Sequence, residues 1–155
     1  TMNGALPIGT LDGANVEIRE AVGEENFFLF GRTAEQVEQT CAAGYHARWF
    51  YEQDEDLRNA IDLINSGLFS HGDVTMFRPL TDKLLNSDPF LVCGDFRDYV
   101  DCQVRAALAY RDAEHWSRMS ILNVARCGYF SSDRAIREYS AEIWHAPPLA
   151  RASKA

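Results

Sequence analysis

The most constraining feature of this chain is an unbroken apolar run, Phe27, Phe28, Leu29 and Phe30, closed by Gly31. A strand with one wet face alternates apolar and polar residues. A continuous apolar run suits a parallel strand covered on both faces. Parallel neighbours require long crossovers, which helices usually supply. Residues 5–10 form a second short apolar segment, starting after Gly4 and carrying Gly9. Pro7 inside it removes a ladder donor and pushes that strand toward an edge. Phe90, Leu91, Val92 and Cys93 read as a third strand. Three strands are fewer than the five or six of a doubly wound sheet, so the pattern predicts the second half of such a domain.

The intervening segments carry helix signals. Asp12 and Asn15 are candidate caps for a helix over residues 16–22, which Gly23 stops. Thr33 and Gln36 fit a capping box at the start of a helix running to about Cys41 and closed by Gly44. Leu57, Ile61 and Ile64 are spaced for a helix over residues 55–65, with Gly67 as its stop. Residues 73–86 are expected to be helical in two pieces, because Pro79 does not continue a helix begun before it.

From Asp95 onward the sequence reads as helical. Tyr99, Cys102, Ala106 and Ala109 share one stripe, and Trp116, Met119 and residues 121–124 form the buried side of the next helix. Ser131, Ser132 and Asp133 start a last helix with Ile136, Tyr139 and Ile143 on one face. Pro147 and Pro148 are expected to end it, with residues 150–155 as a disordered tail. The order β-α-β-α-α-β followed by helices predicts an α/β chain layered around a parallel sheet.

The 155 residues amount to one domain by length. Fifteen basic and 23 acidic residues give a net charge of -8, and no basic cluster occurs: Arg118, Arg126, Arg134 and Arg137 are interleaved with apolar residues. That balance argues against nucleic acid as a partner. Cys41, Cys93, Cys102 and Cys127 make no C-x-x-C pair, and His46, His71, His115 and His145 make no H-E-x-x-H. Reduced thiols and no metal site are therefore expected. No apolar stretch is long enough to span a bilayer and no signal peptide is evident, so a soluble, cytoplasmic protein without a membrane partner is expected. Thr1 opens the chain with no polar lead-in, which suggests a polypeptide that began earlier.

The densest string is residues 3–18, N-G-A-L-P-I-G-T-L-D-G-A-N-V-E-I. It describes a strand leaving through a glycine into a short loop and a helix N-terminus, a place whose free amides can hold an anion. Its glycines make neither G-x-G-x-x-G nor a G-K-[ST] loop, so spacing alone favours a structural turn. Further strings follow in order: G-E-E-N-F-F-L-F-G at residues 23–31, F-L-V at 90–92 with Asp95-Phe96 and Asp98-Tyr99, and W-S-R-M-S-I-L-N-V-A-R-C-G at 116–128. F-S-S-D-R-A-I-R-E-Y at 130–139 and Ile143-Trp144 complete the set.

In this combination the chain resembles the C-terminal part of the glycogen, starch and maltodextrin phosphorylases, here of bacterial type. The blocks cover nearly the whole chain. Pro7 stands where the family usually has a threonine or another residue able to donate to the sheet, and residues 41–87 match only in pattern. The resemblance implies a pyridoxal 5'-phosphate enzyme of glycosyltransferase type, a homodimer in its intact form. It would cleave an α-1,4-glucan with phosphate to give glucose 1-phosphate, the cofactor's phosphate group serving as acid–base partner.

It further implies that residues 1–149 form the end of the cofactor-bearing, Rossmann-like domain. The cofactor lysine of the family lies on the element leading into the N-G-A-L string, which would fall before Thr1. Neither Lys83 nor Lys154 matches its position. No catalytic or cofactor-binding residue is therefore assigned, and the isolated chain is expected to be inactive and to leave the cofactor unbound. Asn3, Gly4, Asp12 and Asn15 are candidates for a supporting shell, although capping and turn formation explain each of them too. Two other functions stay open: a non-catalytic α/β interaction module, and a small nucleotide-binding domain resting on the loop from Gly9 to Asn15.

Overall fold

The computed structural model describes residues 2–146. Two short strands, β1 (Ile8–Gly9) and β2 (Phe28–Leu29), pair in parallel with Ile8 opposite Phe28 and Gly9 opposite Leu29. Pro7 takes part through its carbonyl, which accepts from the Phe28 amide at 3.0 Å, so its missing N–H leaves the ladder intact. The crossover is α1 (Ala14–Val22) followed by a 3₁₀ turn, Glu24–Asn26. Gly9 lets Asn15 pack close: a Cβ there would lie 2.6 Å from Asn15 Nδ2.

The expected third strand is a helix start. Val92 and Cys93 open α6 (Val92–Tyr110). The cause is Asp88, whose carboxylate accepts from the amides of Val92 at 2.9 Å and Cys93 at 2.8 Å and so satisfies donors that a helix leaves free. A short apolar run does not by itself distinguish a buried strand from a buried helix turn. The result is a mostly helical α/β chain with a two-stranded parallel sheet.

Between the sheet and α6 lie α2 (Ala34–Ala42), α3 (Ala47–Gln53), α4 (Glu55–Asn65) and α5 (Arg78–Asn86). The Thr33–Gln36 capping box forms as expected, with Thr33 Oγ1 accepting from the Gln36 amide and Gln36 Oε1 accepting from the Thr33 amide. Asp54 caps α4. Pro79 does not divide a helix: residues 74–77 are turn, and Pro79 lies in the first turn of α5, where a missing N–H costs nothing. After α6 come α7 (Ala113–Arg126), a 3₁₀ turn Cys127–Phe130, α8 (Ser132–Glu138) and one π-helical turn, Tyr139–Ile143. Ser131 holds the N-cap position of α8 but makes no side-chain cap bond. The expected stop at Pro147 and Pro148 and the tail at 150–155 lie outside the described residues.

Two small cores hold these elements. Val22, Phe27 and Cys127 pack with Ile18, Leu29 and Phe130, while Ala47, Leu57, Ile61 and Cys93 pack with Tyr45, Phe50, Leu84 and Phe96. Polar bonds tie α7 to the first: Asn123 Nδ2 donates to the Asn26 carbonyl at 3.0 Å, and Arg126 Nη1 to the Val22 carbonyl at 2.7 Å. Met119 and Cys102 are buried as their stripes predict. Ile121, Val124, Ile136, Tyr139 and Ile143, also expected on inner faces, are exposed because no described element covers them.

The surface reflects this. The chain exposes 11130 Å², against roughly 7,900 Å² for a compact monomer of its length. Assigning the ten residues outside the described range a fully unfolded share of about 1,600 Å² still leaves a surplus of about that size.

Candidate functional site

In open α/β sheets, ligands gather at the carboxyl ends of the strands. Here those ends deliver Thr10 after β1 and Phe30, Gly31 and Arg32 after β2, facing the first turns of α6. Gly31 has φ +82, and a Cβ there would lie 2.8 Å from both Asp95 Oδ2 and Thr10 Cγ2, so only glycine fits this close approach. Its amide donates to the Asp98 carboxylate, and the Arg32 guanidinium pairs with Asp95. These contacts lock the β2 exit onto α6.

Two hollows flank the lock. One is an apolar cleft of about 390 Å³ walled by Phe30, Phe90, Val92, Phe96 and Tyr99. Phe30 and Tyr99 meet edge to face with centroids 5.2 Å apart. Phe90 stands 83% exposed at its rim. The other is a polar hollow of about 620 Å³ holding Arg97, Asp98 and Asp101. Asp95 and Asp98 are already engaged with Arg32 and Gly31. The one carboxylate on the apolar wall, Asp95, is tied up by Arg32, so the cleft suits packing and binding better than bond making.

A buried polar network supports α6 from behind. Asp88 is 1% exposed and also accepts from the Tyr45 hydroxyl at 2.6 Å, while that hydroxyl accepts from the Gly94 amide at 3.0 Å. Burial and the Asp88 carboxylate hold the Tyr45 phenol above its ordinary range. The same two influences push the Cys93 thiol up to about 12, so it is a neutral packing group, not a nucleophile. At the start of α4, Arg97 forks onto Asp54 at 2.8 and 2.6 Å and lowers its carboxyl. Among the described residues, no three His, Cys, Asp or Glu side chains are placed to hold a metal. Two buried polar atoms there lack partners, Arg19 Nε and Asn123 Oδ1.

The four candidates from the sequence separate into two places. Asn3 is exposed, and Gly4 is tied to α7, its carbonyl accepting from Ser120 Oγ at 2.8 Å. Asp12 and Asn15 gather around Thr10: Asp12 accepts from its hydroxyl at 2.9 Å, and Asn15 donates to its carbonyl at 3.0 Å. Neither caps α1, whose N-cap is Gly13 without a side-chain bond. With Asp12 and Glu17 beside it, this N-terminus carries negative charge where a phosphate would have to bind. Sequence reasoning missed Ser120, Asn123 and Arg126. The available signal was polar residues recurring at helical spacing within an otherwise apolar stretch.

The described residues do not fit pyridoxal phosphate. Lys83 is the only lysine among them and lies exposed on α5, away from the sheet end; Lys154 is outside the described range.

The amino-acid sequence that builds these elements has clear relatives. Residues 1–146 match the family model described as carbohydrate phosphorylase, and the chain belongs to that family. Among curated relatives, it is 60% identical over 149 residues to a glycogen phosphorylase of Synechocystis sp., covering 96% of this chain and 18% of the relative. Over 147 residues, 95% of the chain, it is 46% identical to the muscle form of glycogen phosphorylase from Ovis aries and 47% to the brain form from Mus musculus. It covers 18% of the former and 17% of the latter, so the chain spans less than a fifth of the relatives it matches.

Proposed function

We propose that this chain works as the C-terminal part of an α-glucan phosphorylase, a glycosyltransferase-type enzyme that uses phosphate to release glucose 1-phosphate from an α-1,4-glucan. The observation that carries the reading is the 60% identity to a glycogen phosphorylase across 96% of the chain. In this reading residues 1–149 complete the cofactor-bearing, doubly wound domain, with β1 and β2 as the end of a larger parallel sheet. The surplus surface and the open apolar cleft supply the area that such completion would cover.

The intact enzyme would hold pyridoxal 5'-phosphate on a lysine outside the described residues, act as a homodimer and reside in the cytoplasm. This chain's share is positional. Gly31, Asp95 and Asp98 fix the strand exit, and Ser120 and Asn123 fix the segment around Gly4 and Asn26. Alone, it is expected to be inactive. The test is to incubate the purified chain with pyridoxal phosphate, glucan and phosphate. Neither a cofactor absorbance band nor glucose 1-phosphate is expected; a borohydride-reducible adduct on Lys83 with turnover would overturn the reading.

A second reading, a non-catalytic interaction module, draws support from exposed Ile136, Tyr139, Ile143 and Trp144 at the chain's end. Sedimentation separates the two: a defined oligomer with cooperative unfolding favours the module, and polydisperse material favours the phosphorylase part.

A further inference from the structure

The end of α2, the loop after it and the start of α3 line an open hollow of about 490 Å³. Its walls combine the rings of Tyr45, Trp49 and Phe50 with the neutral side chains of Gln39 and Thr40 and the imidazole of His46; no Asp, Glu, Lys or Arg lines it. Its size lies within the range of small-ligand sites, about 300–1,000 Å³.

The aromatic wall is fixed from inside and open outside. Trp49 is 57% exposed, yet its ring stands edge-on to Phe50 with centroids 4.9 Å apart at 88°. Phe50 is held by the Tyr45 ring at 5.4 Å and by the Arg32 guanidinium, 5.6 Å from its centroid. Tyr45 is anchored through Asp88 and Gly94. Thr40 donates its proton to the Gln36 carbonyl and keeps its lone pairs for a donor. His46 occupies the N-cap of α3 without capping it, leaving its ring nitrogens available. At Gly44 (φ +87) no atom lies within 4 Å of where a Cβ would sit, so the backbone there is unobstructed.

An exposed indole beside neutral donors and acceptors matches a ligand with one apolar face and a rim of hydroxyls. A pyranose ring has that shape: its C–H face stacks on the aromatic surface while its hydroxyls meet amide, hydroxyl and imidazole. An anionic ligand would find no cation in this wall on a chain of net charge -8. We propose that this hollow binds a short α-1,4-glucan segment, with Trp49 as its stacking platform. The choice of glucan rests on the function proposed above.

The test is affinity electrophoresis of the intact phosphorylase polypeptide in gels containing soluble amylose, with dextran gels as the control. Trp49→Ala is expected to weaken amylose binding about tenfold, the effect of losing one stacked ring. Gln39→Leu is expected to weaken it in the same direction, with melting temperature and oligomeric state unchanged for both. Unchanged amylose retardation in Trp49→Ala would overturn the proposal. So would a loss accompanied by a lower melting temperature or an altered oligomer, since the hollow would then be a seat for another polypeptide segment. Equal retardation in dextran would overturn the choice of ligand. Wild-type protein that releases no glucose 1-phosphate from maltopentaose would refute the proposed function alone, leaving Trp49-dependent amylose binding to be judged separately.

Discussion

Substituting Asp88 probes the network that turns an expected strand into the start of α6. Its carboxylate receives three hydrogen bonds, from the Tyr45 hydroxyl and the amides of Val92 and Cys93, while 1% exposed. In Asp88→Asn one oxygen can still serve Tyr45 and Cys93, but the new NH₂ faces the Val92 amide and the charge at the helix N-terminus is gone. That change is expected to cost about 1–3 kcal/mol, the range for leaving one buried donor unsatisfied. Asp88→Ala strands all three donors and places alanine at φ +30, so its cost should reach about 3–5 kcal/mol. Urea unfolding followed by far-UV circular dichroism gives both values. The network also predicts coupling: Tyr45→Phe combined with Asp88→Ala should cost less than the sum of the singles by at least about 0.5 kcal/mol. Additive costs, or an Asp88→Ala variant within about 1 kcal/mol of wild type, would refute the reasoning.

Other consequences follow from single contacts. Gly31→Ala and Gly44→Ala both place alanine at positive φ, but only Gly31 is crowded, so it should destabilise clearly more than the roughly 1 kcal/mol of backbone strain expected at Gly44. Comparing their thermal midpoints checks this. Asp54 has its carboxyl lowered chiefly by Arg97, so its stabilisation is present above the ordinary carboxylate range near pH 4 and is lost as pH falls through the lower folded value. Arg97→Leu should therefore move the acid unfolding midpoint upward, and an unmoved midpoint would contradict the pairing. Cys41 is exposed and the other three thiols are buried, so a thiol reagent should label one cysteine quickly in the native chain and four after denaturation.

The sequence exposed the fold unevenly, for physical reasons. Phe27 to Phe30 identified β2 because an unbroken apolar run before a glycine has few alternatives, and the Thr33–Gln36 box formed because its bonds are local. The same logic failed at Phe90 to Cys93, where a carboxylate two residues upstream decided for helix through bonds that no periodicity reveals. Pro79 was taken for a break when it was a start, since one proline rule serves both ends. The family was legible in the string at residues 3–18. The lock among Gly31, Arg32, Asp95 and Asp98 was not, because its partners lie more than 60 positions apart. Asp12 and Asn15 were located at the strand end, but they knit the turn around Thr10 instead of capping α1.

The central claim is that this chain supplies the scaffold of a phosphorylase and not its reacting groups. The most direct measurement replaces the matching segment of the Synechocystis glycogen phosphorylase, 60% identical over 149 residues, with this chain and assays glucose 1-phosphate release. The account predicts that the chimera takes up pyridoxal phosphate and turns over glucan, while the isolated chain does neither. A folded, cofactor-bound chimera without activity, or an isolated chain with activity, would contradict it.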